Sequence, residues 1–226
     1  MNGKKMLILR LEGILQSWDT TSKWDDRESE DFPSKSGIVG LLGCALGLER
    51  GTPELVELNS ALVMAIRADR PGSKLVDFQT VTGKPLMNAM GKPKTTGNTF
   101  ISKRVYLQDA CFTVFIEMDE IWHSRIVASL KAPKWCLYLG RKSCVPSRPV
   151  LECEDFGDYS LKEALRKYPI VNRDNKDIFP ILYETEQSDD ELPSTTRPDN
   201  LVGENRTFIR RKIWKGQINK EETPCT

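Results

Sequence analysis

Histidine is nearly absent from this chain, and that scarcity narrows the chemistry available to it. Only His123 is a histidine among 226 residues, and the six cysteines (Cys44, Cys111, Cys136, Cys144, Cys153 and Cys225) form no C-x-x-C pair. A zinc site wants closely spaced Cys and His pairs, so no metal or other cofactor is expected. The thiols read as free and reduced, with Cys44 and Cys111 packing as small core residues. A catalytic histidine needs a partner, and nothing beside His123 offers one, so an ordinary surface histidine is expected. No apolar run approaches the roughly 20 residues that cross a bilayer. The opening MNGKKMLILRLEG is basic and then apolar, but its apolar part covers only Met6 to Leu11 and is broken by Arg10. With no small-residue cleavage site it reads as the first strand of a cytoplasmic protein, without membrane contact.

Net charge is scarce too, since 33 bases against 32 acids leave +1. The balance hides blocks. Residues 19–31 carry six acids against two bases, and residues 74–105 carry six bases against Asp77 alone. Residues 204–215 carry five bases against Glu204. Segregation of this kind suggests faces with different partners, a basic face suiting a polyanion, though ordinary surface patchiness produces blocks as well. A hydrophobic content of 39% with 29% charged residues marks a soluble globular chain, long enough for one large core or a domain with an appendage.

Along the chain, Met6 to Leu11 reads as a buried strand. The polar stretch Gly13–Phe32 holds Gln16, Ser17, Trp18, Trp24 and Arg27. A tryptophan there is either a stacking platform for a base or a lid over the core. Ser34 is placed to cap a helix over 34–48, with Ile38, Leu41, Leu42, Ala45 and Leu46 forming one apolar stripe. Gly37, Gly40, Gly43 and Gly47 each cost such a helix about 0.5–1 kcal/mol relative to alanine. A helix that keeps them lies close to another backbone or to a ligand. Its first turn, Ser34-Lys35-Ser36-Gly37, offers free amides, two hydroxyls and an ammonium, an arrangement suited to an anion.

A second helix is expected from Thr52 to Ser60, then strands at 61–69 and from Lys74 to Val81. The segment Lys74–Arg104 reads as a basic protruding arm, partly hairpin. Alternation predicts a strand at 109–118, Asp119 caps a helix at 119–131, and a strand follows at 135–139. The order βαββαβ is that of the α+β ferredoxin-like or RNA-recognition fold, whose helices cover one sheet face and leave the other free to bind. After Leu139 comes a Gly140-led loop with Arg141, Lys142, Ser143, Ser147 and Arg148. It either points donors at phosphates or is a solvated surface loop. Beyond residue 150 the expectation is a helix at Leu161–Tyr168, a strand at Ile178–Tyr183 and an acidic loop over Glu184–Asp199. A strand at Arg206–Trp214 precedes a frayed tail from Lys215.

Four stretches in order carry a family resemblance: Leu9-Arg10-Leu11-Glu12-Gly13 with Leu15-Gln16-Ser17-Trp18; Phe32-Pro33-Ser34-Lys35-Ser36-Gly37-Ile38-Val39-Gly40-Leu41-Leu42-Gly43; Tyr106-Leu107-Gln108-Asp109-Ala110-Cys111-Phe112-Thr113-Val114; and Tyr138-Leu139-Gly140-Arg141-Lys142-Ser143-Cys144. The chain resembles the CasD family of Cascade subunits, the fifth CRISPR-associated family of the RAMP superfamily. The C-terminal third matches only through Arg206-Thr207-Phe208-Ile209-Arg210-Arg211.

The resemblance implies a modified RNA-recognition palm over residues 1–150, with a thumb hairpin inserted at about 74–105. A β-containing extension over 151–226 packs on that palm. It implies a non-catalytic subunit of a type I complex for antiviral defence, which captures the 5′ handle of crRNA and caps the foot of the backbone filament. Its partners would be crRNA, the backbone and large Cas subunits and, through the assembly, target DNA. The candidate RNA-binding set is Gln16, Ser17, Trp18, Arg27, Lys35, Ser36, Gly37, Lys103, Arg104, Tyr106, Arg141, Lys142, Ser143, Arg148, Arg206 and Arg210. The alternative is a metal-independent crRNA-processing endoribonuclease, for which Tyr106 with Lys103 would serve. Asp19 stands where the family commonly has glycine, Val145 replaces a common proline, and the loop around Asp25–Asp31 is unusually acidic, as suits a protein partner.

Overall fold

Continuous apolar runs set the centre of the molecule. The computed structural model describes residues 4–19, 26–83, 86–87, 91–93, 99–157, 159–171, 177–184, 194–203 and 207–220. Strand β1 (Lys5–Glu12) is buried from its second residue onward, which is why its sequence shows no polar alternation. After it come the short strands β2 (Leu15–Gln16) and β3 (Asp26–Arg27), then α1 (Lys35–Leu46) and α2 (Pro53–Ala61). The middle of the chain forms β4 (Val63–Arg70), β5 (Ser73–Thr82), β6 (Thr99–Gln108), β7 (Cys111–Met118) and α3 (Glu120–Lys131). The remainder forms β8 (Leu151–Cys153), α4 (Leu161–Lys167), β9 (Ile178–Tyr183), β10 (Ser194–Gly203) and β11 (Thr207–Asn219). Ser34 caps α1 by accepting from the Gly37 N–H, and Asp119 caps α3 by accepting from the Trp122 N–H.

Among the described residues the strands form two sheets. The larger is antiparallel throughout, in the order β10-β11-β9-β4-β7-β1-β8. In the smaller, β6 pairs with β2, β3 and β5, and the β5–β6 hairpin is in register from Ser73↔Gln108 to Thr82↔Thr99. That hairpin lies in the segment read from the sequence as a basic arm. Lys84 and Lys94, two of the bases of the 74–105 segment, lie outside the described residues, as do Trp24 and Arg206. No described helix is long and apolar enough to cross a membrane.

Helices α1, α2 and α3 cover one face of the large sheet, bringing Ile38, Leu42, Leu58 and Ile126 into one cluster with Leu7, Leu9, Ile66 and Phe112. The opposite face is covered as well, contrary to expectation. There α4 and its following turn set Leu161, Leu165 and Ile170 against Met6, Ile8, Ala65 and Phe115. Arg67 supplies the physical reason. Its fully buried guanidinium donates to the carbonyls of Leu165 (2.7 Å), Tyr168 (2.7 Å) and Pro169 (2.8 Å), and to Asp69 Oδ1 (2.6 Å). Asp69 also accepts from Arg10, the Thr113 hydroxyl and the Val171 N–H. The carbonyls left open at the end of α4 are thus satisfied by the sheet itself.

Three further expectations need correction. Residues 135–139 are not a strand; the position beside β1 is taken by β8, past residue 150. The 134–139 segment instead seals the end of α1, where the Lys134 and Trp135 N–H groups donate to the Ala45 and Cys44 carbonyls. The supposed acidic loop at 184–199 contains the first half of β10, paired with β11. Nor does the chain fray after Trp214: Lys215–Asn219 continues β11 against Leu182–Ile178. Ile218 is buried between exposed Gln217 and Asn219, an alternation too short to stand out in a polar sequence. The C-terminal third therefore extends the same sheet rather than building its own.

Candidate nucleic-acid interface

Helix α1 presents an unusual surface. Gly43 lies against Leu55 of α2, where an added Cβ would come within 2.6 Å of Cδ2, and Gly47 ends the helix in the left-handed region at φ 75. Gly40 differs. It is exposed, and a Cβ there would meet nothing within 4 Å. Among the described residues nothing packs against that position to offset its helix cost.

Gly40 lines a cleft of about 1350 Å³. One wall is the exposed side of α1 with Ser36, Gly37 and Cys44, and another is the 135–145 segment with Trp135, Tyr138, Arg141 and Lys142. Ser17, Trp18, Asp19 and Arg27 close one end, and Leu201 and Phe208 of the β10–β11 hairpin add an apolar flank. Gly140 brings the 135–145 wall against Ser17. At φ 87 a Cβ on it would lie 1.7 Å from the Ser17 carbonyl oxygen, so only glycine lets the loop pass. Ser17 N–H then donates to the Leu139 carbonyl at 3.1 Å.

Arg141 is the best-placed cation. Its guanidinium stacks 4.7 Å from the Tyr106 ring centre, and Nη2 donates to the Arg27 carbonyl at 3.1 Å. Nη1 is buried and has no hydrogen-bond partner among the described residues. Lys142 and Ser143 beside it are exposed.

The other candidates divide by burial. Gln16 is fully buried, donating to the Leu11 and Ala110 carbonyls and accepting from Trp18 Nε1 at 3.0 Å. Trp18 is fully buried too, which corrects the stacking reading in favour of the core lid. The Ser17 hydroxyl donates to the Val105 carbonyl. These three residues hold the cleft wall rather than present side chains to it. Lys103 and Arg104 sit half-buried on β6; Arg104 donates to the Ser102 hydroxyl. Arg148 is exposed and paired with Glu152 at 2.7 Å, and Arg210 is exposed on β11.

Lys35 departs furthest from expectation. Its side chain is only 5% exposed and its ammonium lies 3.2 Å from Glu184 Oε1. Burial pushes its pKa below the usual lysine range, with Glu184 opposing. Nor is the start of α1 vacant: the Lys35 N–H donates to Asp199 Oδ2 at 2.8 Å. Arg211 grips the same carboxylate at 2.7 and 3.1 Å, and Arg197 donates to the Phe32 and Pro33 carbonyls. The anion that the helix start calls for is supplied by the chain itself, 164 residues away in sequence. No local signal around Asp199 announces it.

His123 corrects another expectation. It is buried, and its Nε2 hydrogen-bonds the backbone carbonyl of Glu154 rather than a catalytic side chain. Cys111 is core as expected, and burial pushes its thiol up to about 11, whereas Cys44 is half-buried at the cleft.

Comparison with known proteins agrees with the resemblance read from the sequence. A family model described as CRISPR-associated protein (Cas_Cas5) matches residues 6–219. The CRISPR system Cascade subunit CasD of Escherichia coli (strain K12) is 30% identical over 227 residues, covering 93% of this chain and 95% of the relative. A chain of a CRISPR RNA-guided surveillance complex superposes with a TM-score of 0.75 at 28% identity, over 96% of this chain and 92% of that one. A crystal structure of a Cas protein superposes with a TM-score of 0.74 at 31% identity, over 98% of both. With the family model running from β1 to the end of β11 and a relative matched along nearly its whole length, the chain belongs to the CRISPR-associated Cas5 family.

Proposed function

We propose that this chain is a non-catalytic crRNA-binding subunit of a type I Cascade complex in the cytoplasm. It captures the 5′ handle in the cleft between α1 and the Arg141 loop, and caps the foot of the backbone filament beside the large subunit. The observation that carries the reading is the convergence of two walls: a helix face stripped to backbone at Gly40, and a loop offering Arg141 and Lys142. Bare backbone permits close approach of a sugar–phosphate chain, and the cations supply the sequence-independent part of its affinity. Exposed Lys142 and Ser143 meet the phosphates, and Ser36 and Gly37 line the path. The order β4-β7-β1-β8 supports reading these strands as a modified ferredoxin-like palm, with β5–β6 as its thumb and residues 151–226 as an extension packed on it.

The endoribonuclease alternative has less behind it. His123 is engaged by a backbone carbonyl, and the buried Tyr106 ring is covered by Arg141. Metal-free incubation with labelled repeat RNA tests both readings. The expected result is binding without cleavage, weakening steeply as salt rises. Site-specific cleavage would overturn the non-catalytic reading, and a flat salt response would overturn RNA binding.

A further inference from the structure

The acidic strip after Arg27 has no part in the cleft reading, yet its backbone is fastened on several sides. Arg27 lies opposite Arg104 in the parallel pairing of β3 with β6. The Glu30 N–H donates to the Trp18 carbonyl at 2.7 Å, and the Ser29 hydroxyl accepts from the Trp18 N–H at 3.1 Å. Arg141 donates to the Arg27 and Glu28 carbonyls. A backbone held this firmly nonetheless turns Glu28, Glu30 and Asp31 outward. Two of these carboxylates reach the arm: Asp31 pairs with Lys74 at 2.9 Å and Glu28 with Lys103 at 3.8 Å. The four side chains remain 40–71% exposed, so water and salt screen both pairs and each is readily displaced.

We propose that Glu28 and Asp31 act as a built-in competitor for polyanions, occupying Lys103 and Lys74 so that a polyanion cannot hold on through the arm alone, while a handle held in the cleft leaves both pairs in place. This rests on the crRNA-binding reading above. A carboxylate row carries the same sign of charge as a phosphate backbone and satisfies the same ammonium groups. A cognate handle is held by the cleft and displaces neither pair, whereas a random polyanion meets only the arm and must displace both. The strip therefore works on specificity, by raising the barrier to indiscriminate binding. Acids that were merely solvated would make no such distinction between RNAs.

The test uses the full chain with Glu28→Gln and Asp31→Asn together, and fluorescence anisotropy over a salt series. The probes are labelled repeat-handle RNA and a labelled oligouridine of equal length. Oligouridine binding is expected to tighten by about 3- to 30-fold. Its slope of log affinity against log salt should steepen by about 1.4, two phosphates at about 0.7 each. Handle affinity should change by about threefold or less, because its cleft contacts are untouched. Unchanged oligouridine affinity, or equal tightening on both RNAs, overturns the proposal. The single Asp31→Asn variant, expected to give half the slope change, guards against a folding defect in the pair. A wild-type chain with no preference for the handle would sink the crRNA reading as well. A wild type that prefers the handle beside an unresponsive variant sinks the competitor alone.

Discussion

The start of α1 and the root of the arm both set bases against acids, but in different surroundings. Around Asp199, the side chains of Lys35, Arg197 and Arg211 are at most 7% exposed and each makes more than one polar contact. Around Lys74 and Lys103, each cation meets its carboxylate partner in solvent. In a low-dielectric interior, removing one partner strands an uncompensated charge, whereas at the surface water replaces it. The same residue types thus build a permanent staple in one place and a replaceable contact in the other. Charge blocks in a sequence do not distinguish the two.

The largest test of this contrast is Asp199→Ala. It strips the α1 start of its anion and takes from three buried cations the carboxylate among them, so a loss of about 3–5 kcal/mol is expected in denaturant unfolding. A loss under about 1 kcal/mol would make the buried cluster no different from a surface pair. Next is Gly140→Ala, which must move the loop away from the Ser17 carbonyl or adopt a strained backbone, at about 1–3 kcal/mol or more. It should weaken handle binding along with stability. Lys142→Ala sharpens the cleft side of the comparison: melting unchanged, and the salt slope of handle binding shallower by about 0.7, one phosphate. Removing both acids with Glu28→Gln and Asp31→Asn should move stability by no more than about 0.5–1 kcal/mol.

The smallest effect is in the lysine titrations, read by NMR of the side-chain carbons. Burial holds the Lys35 pKa below its unfolded value. Between those two values the unfolded chain binds more protons, so the Lys35 contribution makes stability rise with pH across that window. The hydrogen bond from Lys74 to Asp31 holds the Lys74 pKa above its unfolded value. The stability it adds is present below the unfolded value and is lost as pH rises through the folded one. Asp31→Asn should lower the Lys74 titration toward the usual lysine range and leave that of Lys35 in place. Parallel shifts of both would erase the distinction between the clusters.

Legibility followed the range of the interaction. The caps at Ser34 and Asp119, the alternating strand at 111–118 and the basic arm each answer to neighbours within a few residues, and each stood out in the sequence. The cationic make-up of the Arg141 loop and the glycines of α1 are read from the sequence directly, but that Gly40 and Arg141 line one cleft is not. Lys35 was misread because its local surroundings describe an ideal anion site without revealing that Asp199 fills it. The strand expected at 135–139 failed for a similar reason. Three apolar residues satisfy a strand pattern, but the open carbonyls at the end of α1 claimed the segment first. The free sheet face vanished because Arg67, an ordinary strand residue by pattern, reaches across to carbonyls about a hundred positions later.

Local propensity and charge composition were enough to announce an α+β chain with a glycine-laced helix, a basic hairpin and a cationic loop. Which cations stay in solvent, which sheet face is covered and which carboxylate caps α1 depend on segments far apart in the chain. Such contacts form only when hydrophobic burial brings the segments together. The dielectric around each charge, and hence its role, is a property of that packing and is written in no single stretch of the chain.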